Sequence, residues 1–439
     1  MHLKKENTLS NKNFRFETLA VHSGQETLDP QTLSRGYPVH RTAAYVFKNA
    51  EHGANLFALK ELGNVYGRLN NPTVAVLEER ITKLEGGAAS VAVASGTSAI
   101  FYAIITLAQK GDHIVAANNL YGGTYTQFEA ILPGFGIDTT FVDPKDPENF
   151  QKAIKPNTKA IYIETIGNPV LDFVDVDAIA AVAHKNGLPL IVDGTFTTPY
   201  LFRAIEHGAD IVVNSLTKWI GGHGTGLGGI ITDSGKFNWA GGKHPLFTAP
   251  DANYHGLHWA LDLPEPLKPI AYALRVRTVP LRNLGATLSA DNAWIFLQGT
   301  ETLALRVARH VENSLKVAEF LQKHPKVAWV RYPGLPGDPS HALASKYLKK
   351  GFGGVVVFGP KGGYDAAVKF IDNLPLFSNL ANVGDAKSLV LHPASTSHSQ
   401  LSDEEQLAAG LTKDLVRLSV GIEHIDDIIE ALEEGLSKI

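Results

Sequence analysis

Residues 209–224 read ADIVVNSLTKWIGGHG, a short β-branched run that breaks into a polar segment with a single lysine and then glycines. The run from Ile211 to Val213 predicts a buried strand. Lys218 then lies just past the carboxyl end of that strand, where open α/β sheets bind ligands. A partly desolvated amine at such a place can form a Schiff base, although any one loop lysine is more often a solvated surface residue. The rest of the chain decides between these two interpretations.

A second strand pattern, from Leu188 to Asp193, ends in a carboxylate. If the two strands are parallel neighbours, Asp193 and Lys218 lie at the same edge of one sheet. An aspartate there can be structural and cap a helix or a turn. It can also pair with the protonated ring nitrogen of pyridoxal phosphate (PLP), which makes the ring a better electron sink. The two residues together indicate PLP chemistry much more specifically than either residue alone.

Composition excludes several classes of protein. The 439 residues suit two or three domains, and 44% hydrophobic with 19% charged residues is typical of a globular protein with a large core. A net charge of −4 gives no basic stripe, so we expect no nucleic-acid partner and no anionic membrane partner. No run approaches the roughly 18 apolar residues of a membrane helix, and the N-terminus lacks the apolar core of a signal peptide. We therefore expect a cytoplasmic protein.

Thiol, metal and dinucleotide chemistry find little support in the sequence. The chain has no cysteine, which excludes disulfides, thiolate catalysis and cysteine metal sites. His255 and His258 have a metal-like spacing, but nothing nearby completes a site, so we predict no metal. Residues 224–229 match the dinucleotide pattern G-x-G-x-x-G, yet they precede the strand-like residues 230–232 and open no helix. We interpret them as a turn beside the lysine.

The order of the segments predicts the fold class. Strands and helices alternate from about residue 90 to 230, which predicts an α/β fold with a doubly wound, mostly parallel sheet. Residues 1–65 predict an N-terminal arm that contacts a neighbouring subunit, and residues 66–290 predict the large domain. Within the large domain, residues 235–280 form a loop-heavy insertion that either roofs a pocket or connects domains. Residues 291–439 predict a smaller C-terminal α+β domain.

Three further segments suit a phosphate or an aromatic ring. Ser95-Gly96-Thr97-Ser98 separates a strand from an apolar helix, whose first amides and dipole favour an anion, although the pattern is also an ordinary N-cap. Arg68, two residues after Tyr66, can grip phosphate at two points, although a surface arginine is the commoner case. Tyr121, among glycines at a strand end, can lie over a ring or be an ordinary half-buried tyrosine.

An arginine interrupts the apolar strand predicted for residues 415–420. A buried guanidinium is costly unless it is paired, so we expect Arg417 to meet a carboxylate. That carboxylate belongs either to an internal Asp or Glu or to a substrate.

In combination, these residues resemble the Cys/Met-metabolism family of fold-type I PLP enzymes. The resemblance covers nearly the whole chain, and it is specific because the motifs occur in order: Tyr66-Gly67-Arg68, Ser95-Gly96-Thr97, Tyr121-Gly122, Asp193, Ser215-Leu216-Thr217-Lys218 and Arg417-Leu418-Ser419-Val420-Gly421-Ile422-Glu423. Four more stretches point to one branch of the family: residues 21–25, 217–224, 254–256 and 392–401. The resemblance implies a fold-type I PLP-dependent transferase.

The resemblance implies three catalytic residues. Lys218 holds PLP covalently and later moves protons, Asp193 pairs with the pyridine nitrogen, and Tyr121 stacks on the ring. Arg417 is implied to bind the substrate carboxylate, with help from Ser388 and Tyr66. The implied cofactor-binding residues are Tyr66, Arg68, Gly96, Thr97, Tyr121, Asn168, Asp193, Thr195, Ser215, Thr217 and Lys218.

The resemblance also implies how the phosphate is held and how subunits assemble. Amides at the start of the helix after Ser95 join the hydroxyls of Ser215 and Thr217, while Tyr66 and Arg68 come from the adjacent subunit. A dimer is then the smallest active unit. We expect a homotetramer built as a dimer of dimers.

The implied reaction replaces the acetoxy group on the γ-carbon of O-acetylhomoserine with sulfide and gives homocysteine and acetate. The alternatives are a methionine or cystathionine γ-lyase and a cystathionine γ-synthase. Methionine γ-lyases usually place a cysteine two positions after the stacking tyrosine, and Gly123 stands there instead. A non-catalytic binding module with the same fold is a remote alternative. Such proteins usually lose the lysine or the carboxylate clamp, whereas this chain keeps Lys218, Asp193 and Arg417.

Overall fold

The computed structural model describes residues 14–26, 29, 31–58, 60–397, 399, 404, 406 and 410–439. The first 13 residues of the predicted arm, and several residues of the 392–401 motif, lie outside this set. The chain forms two compact units. One comprises the described residues up to Leu107 with 213–217 and 225–302, and the other comprises 108–212, 218–224 and the described residues from Leu303 onward. The boundaries predicted at 65 and 290 stay a prediction.

The larger sheet has seven strands in the order β1-β7-β6-β5-β4-β2-β3. Strand β2 pairs in parallel with β3 and β4, β4 pairs in parallel with β5, and β1 is antiparallel to β7. Every residue of β2, β4 and β5 is buried, which explains why these strands are almost continuous apolar runs. In chain order, strands β1 to β7 are Ala89–Val93, His113–Ala117, Asp138–Val142, Thr158–Glu164, Leu190–Asp193, Ile211–Ser215 and Gly229–Asp233.

Several of the described α-helices begin at a residue whose side chain caps the helix. Asn71 accepts hydrogen bonds from the amides of Thr73 and Val74 at the start of α3, and Gly86 ends that helix with φ +74°. Helices α1 to α16 are Phe16–His22, Ala50–Phe57, Pro72–Glu85, Gly96–Ile105, Gly122–Thr126, Pro147–Ala153, Val176–Lys185, Thr198–Leu201, Pro245–Thr248, Ala271–Val276, Arg282–Leu284, Ala290–Glu301, Leu303–Lys323, His341–Tyr347, Gly363–Asp372 and Ile425–Ser437. No helix in the described ranges is both long and apolar enough to cross a bilayer.

The second sheet has five strands in the order β10-β11-β12-β9-β8. Its pairs are antiparallel except for β10 with β11. Helices α13, α15 and α16 contribute Leu321, Phe370 and Leu432 to a core shared with Val356 and Phe358 of β9. The strands β8 to β12 are Val327–Arg331, Val355–Pro360, Ser378–Asn379, Leu389–Leu391 and Val416–Ser419. The α/β fold with a smaller α+β part is confirmed.

The insertion at 235–280 differs from the expected loop-heavy segment. It contains α9, α10 and several short helical turns, and it buries large aromatic side chains that stack on one another. The four most buried of these are Trp239, Phe247, Trp259 and Tyr272. Proline and glycine marked the turns correctly, but the turns enclose a packed aromatic core.

Glu78 of α3 makes two polar contacts within the compact unit that contains α3 and β1. Substituting Glu78 tests how much these contacts stabilise the unit. The Glu78 side chain accepts the Ala92 amide of β1 at 2.8 Å and the Arg277 guanidinium at 2.7 Å. We expect Glu78→Ala to reduce the free energy of unfolding by about 2–3 kcal/mol, because it leaves the buried Ala92 amide without its acceptor and the half-buried Arg277 guanidinium without its carboxylate partner.

Denaturant unfolding measures this loss. The neighbouring Glu79→Ala is the matched control, because among the described residues Glu79 pairs only with Lys83, on the surface, and its loss is worth about 0.5 kcal/mol or less. Equal destabilisation by the two variants would contradict the assignment.

Candidate active site

Lys218 lies in a single turn, residues 216–220, that follows β6. Its backbone angles, φ −88° and ψ −133°, interrupt the helical geometry of this turn. The amine donates to the Asn382 side-chain oxygen at 2.6 Å. Arg306 of α13 donates to the carbonyls of Trp219 at 2.6 Å and Ile220 at 3.1 Å. These two hydrogen bonds fix the backbone of the turn.

A glycine is required at position 222, two residues after this turn. Gly222 has φ +75°, and a Cβ atom there would overlap the guanidinium of Arg306. The glycine run after Lys218 in the sequence therefore lets Arg306 approach the lysine turn.

The electrostatic surroundings make the lysine amine reactive near neutral pH. Burial, and to a lesser extent the positive charge of Arg417, lower the pKa of Lys218 to about 8. A lysine with this pKa is partly deprotonated under neutral conditions and is a competent nucleophile. The solvated-lysine interpretation is therefore wrong.

Two buried carboxylates end neighbouring strands of the same unit. Glu164 of β4 and Asp193 of β5 are register partners. Asp193 accepts the Thr195 amide at 2.8 Å and the Tyr162 hydroxyl at 3.4 Å, and Glu164 accepts the Tyr121 amide at 2.7 Å. Burial raises the pKa of both carboxyl groups, and the charge of Asp193 raises that of Glu164 further.

The pair is suited to a cationic ligand. Among the described residues, all the hydrogen-bond donors to Glu164 and Asp193 are neutral groups. A buried carboxylate needs a cationic partner or a proton, and the protonated ring nitrogen of PLP would satisfy that need. Sequence reasoning missed Glu164, although its position at the end of β4 matches that of Asp193 at the end of β5.

Arg417 is buried in β12 and pairs with neutral groups. Its guanidinium donates to the Asn168 side-chain oxygen at 3.1 Å and to the Asn382 carbonyl at 3.3 Å. Burial lowers the pKa of Arg417 to about 10. The internal Asp or Glu partner considered from the sequence is not present among the described residues, so the site suits an incoming carboxylate. Asn382, which contacts both Lys218 and Arg417, was not predicted.

Tyr121 and Ser388 differ in their availability. The Tyr121 side chain is 45% exposed, and the Glu164 contact fixes its backbone at the start of α5. Ser388 is fully buried, and its amide and hydroxyl both donate to Glu423, at 2.6 and 3.0 Å. Tyr121 is therefore available to stack on a ring, while the predicted role of Ser388 toward substrate stays a prediction.

The other unit contains the predicted anion site. Ser95 caps α4 by accepting the Ser98 amide at 3.1 Å, and Gly96 and Thr97 form the first helical turn. First-turn amides have no intrahelical acceptor, and they lie at the positive end of the helix dipole. A Cβ atom at position 96 would lie 2.7 Å from the Cβ of Ser215, so glycine keeps this space open. The arrangement fits a phosphate.

Three more predicted residues belong to this unit. The Thr217 hydroxyl accepts the Gly228 amide at 3.1 Å, which ties the lysine turn to the glycine-rich turn after it. Tyr66 is 43% exposed, and the guanidinium of Arg68 lies 5.4 Å from its ring centroid. Tyr66 and Arg68 therefore form a pair at the surface. Within the described residues, no group of three or more His, Asp or Glu side chains could hold a metal ion.

Comparison with known proteins identifies the family. The Cys/Met metabolism PLP-dependent enzyme family matches residues 17–437. The chain belongs to this family. It is 54% identical over 433 residues to the O-acetyl-L-homoserine sulfhydrylase of Leptospira meyeri, covering 98% of each chain, and 52% identical to the homocysteine synthase of Schizosaccharomyces pombe, covering 96% of this chain and 98% of that one.

A solved structure from the same family agrees with the fold. The O-acetylhomoserine (thiol)-lyase of Campylobacter jejuni superposes with a TM-score of 0.93 at 42% identity, covering 97% of this chain and 100% of that one. That enzyme carries N'-pyridoxyl-lysine-5'-monophosphate. The PLP-dependent family and the fold class expected from the sequence are confirmed.

The pKa of Lys218 can be measured in the cofactor-free protein. We expect the rate at which trinitrobenzenesulfonate modifies Lys218 to rise with pH and to reach half of its plateau at about pH 8, because only the neutral amine reacts. Arg417→Met removes a neighbouring positive charge, so it should raise this midpoint. Arg309→Met removes an exposed charge that pairs with Glu312 and should leave the midpoint unchanged. A wild-type midpoint near that of free lysine would contradict the burial of the amine.

Gly96→Ala tests the anion site. The added methyl group meets Ser215, so it should displace the first turn of α4 and weaken PLP binding by about ten-fold or more through loss of amide hydrogen bonds to the phosphate. Equilibrium titration with PLP measures the effect. Gly134→Ala is the control, because a Cβ atom there meets nothing within 4 Å. Unchanged affinity in Gly96→Ala would exclude this helix as the phosphate site.

Proposed function

We propose that this protein is a PLP-dependent transferase that converts O-acetyl-L-homoserine and sulfide into L-homocysteine and acetate. One observation carries the proposal: a desolvated lysine, a pair of buried carboxylates and a buried arginine with neutral partners belong to one compact unit. The names of the relatives from Leptospira meyeri and Schizosaccharomyces pombe support this choice of reaction within the family.

The described residues divide the work of holding the cofactor. Lys218 would join the aldehyde carbon, Asp193 would pair with the ring nitrogen, and Tyr121 would cover the ring. Asn168 and Thr195 would contact the ring substituents. The phosphate would be held by Gly96, Thr97, Ser215 and Thr217. Ser215 lies three residues before Lys218 in the sequence, and Thr217 lies one residue before it. The bound cofactor supplies an electron sink for negative charge that develops on the substrate carbons.

Substrate binding frees the lysine amine for proton transfer. Arg417 would bind the α-carboxylate in two places, helped by Ser388 and Tyr66, and this fixes the substrate α-carbon relative to Lys218. The freed amine would accept the α-proton and later return protons to the product. Asn382 accepts a hydrogen bond from the amine at 2.6 Å, so it orients the amine between these transfers.

Assembly would complete the site. Tyr66 and Arg68 would reach the phosphate of an adjacent subunit, so the smallest active form is a dimer, and we propose a homotetramer built as a dimer of dimers. The arm of residues 1–65 would cover the neighbouring subunit, which the exposure of Val46 (97%) and Leu62 (69%) supports. We also propose the division at 65 and 290 into an arm, a large domain and a C-terminal domain, and a location in the cytoplasm.

Specific residues bear on the alternative functions. A γ-lyase of the methionine type would carry a cysteine at position 123, but a Cβ atom there would lie 2.6 Å from the Tyr121 ring. Glycine therefore favours replacement over elimination. A cystathionine γ-synthase would use cysteine in place of sulfide at the same site. A non-catalytic module is disfavoured because Lys218, Asp193 and Arg417 are all present.

Product analysis with paired donors and acceptors tests the proposal. We expect the purified holoenzyme to form homocysteine from O-acetylhomoserine and sulfide, and we expect Lys218→Ala to lose more than about 1,000-fold of the rate because it removes both the cofactor link and the proton carrier. Lys350→Ala, which removes a lysine lying over the Tyr200 ring, is the control. Formation of cystathionine with cysteine but no homocysteine with sulfide, or release of a 2-oxo acid without an acceptor, would reassign the reaction.

A further inference from the structure

The insertion at 235–280 is a feature that the proposed chemistry does not use. Its helix α10 lies in the same compact unit as α4, the helix whose first turn forms the anion site. Two side chains of α10 reach the opposite end of α4. The Tyr272 hydroxyl donates to the Ala103 carbonyl at 2.9 Å, and the Arg275 guanidinium donates to the carbonyl of Thr106, the C-cap residue of α4.

We propose that Tyr272 and Arg275 are positioning residues for the cofactor phosphate, and that they act through α4. The last carbonyls of a helix have no intrahelical donor and carry the negative end of the dipole. A hydroxyl and a cation on these carbonyls fix the axial position of the helix. The amides of Gly96 and Thr97 at the other end are thereby held in place before the phosphate arrives.

The rest of the insertion fixes these two donors. Trp239 stacks on Tyr272 with ring centroids 5.2 Å apart and an angle of 11° between the planes, and on Phe247 at 4.3 Å. The Arg275 guanidinium lies 5.7 Å from the Phe247 centroid. The aromatic core of the insertion therefore orients both side chains that contact α4.

A carboxylate compensates the buried arginine. Asp251 forms an ion pair with the Nε atom of Arg275 at 3.3 Å and accepts the Trp259 indole N–H at 2.8 Å. Both members of the pair are almost fully buried. A buried cation of this kind is costly, and its one neutralising partner also comes from the insertion. The insertion thus neutralises its own buried cation. Its outward contacts include the two carbonyls of α4, the Phe57 carbonyl reached by Tyr254 and the Glu78 carboxylate reached by Arg277.

The proposal rests on the proposed PLP function, and its test is PLP affinity. Tyr272→Phe removes only the hydroxyl, and Arg275→Lys keeps the charge but loses the forked geometry. We expect each full-length variant, freed of cofactor and titrated with PLP, to bind about 3- to 10-fold more weakly than the wild type, which is the effect of losing one hydrogen bond. At saturating PLP, the turnover number should equal that of the wild type.

Two controls separate this role from a general loss of stability. Tyr332→Phe removes an equally buried hydroxyl that donates to the Gly353 carbonyl at 3.0 Å in the other compact unit. It should lower the melting temperature as Tyr272→Phe does and leave PLP affinity unchanged. His258→Ala, which breaks an exposed contact with Asp262 inside the insertion, should change neither quantity.

Two results would overturn the proposal while leaving the proposed function intact. One is wild-type PLP affinity in both Tyr272→Phe and Arg275→Lys, and the other is an equal loss of affinity in Tyr332→Phe. A wild-type protein that binds no PLP would overturn both the positioning role and the proposed function. The two failures are therefore distinguishable.

Discussion

The burial of opposite charges that lack charged partners is the constraint on which the second compact unit depends. Lys218 and Arg417 are buried basic side chains, and the charge of Arg417 lowers the pKa of the Lys218 amine. Glu164 and Asp193 are buried carboxyl groups that, among the described residues, accept hydrogen bonds from neutral donors only. Such groups destabilise a fold unless a ligand compensates them. The proposed cationic ring and anionic substrate, bound together, would supply both missing partners. The site is therefore built around what it binds.

The fold tolerates the free-energy cost of these buried groups because regular secondary structure fixes each group in position. Asp193 and Glu164 end paired strands, Arg417 lies in β12, and Lys218 follows β6 in a turn fixed by Arg306. The anion site uses a helix start in the same way. Preorganisation of this kind means that little reorganisation remains when the ligands arrive.

The sequence predicted the parts of the site that depend on local pattern. The strands Leu190–Asp193 and Ile211–Ser215 and the capped start of α4 follow from short runs of residues, and each lies at or within two residues of its predicted position. Asn382 and Arg306 escaped prediction because their contacts with the lysine turn join residues 164 and 87 positions apart. The aromatic core of the insertion escaped for the same reason, since proline and glycine report turns but not what the turns enclose.

The covalent link between Lys218 and PLP is the central claim, and it is open to direct measurement. Reduction of the holoenzyme with borohydride makes such a link permanent, and peptide mass spectrometry then locates the pyridoxyl group. The account predicts that the label is on Lys218 and on no other lysine. A label on a different lysine, or no label in a protein that binds PLP, would contradict it.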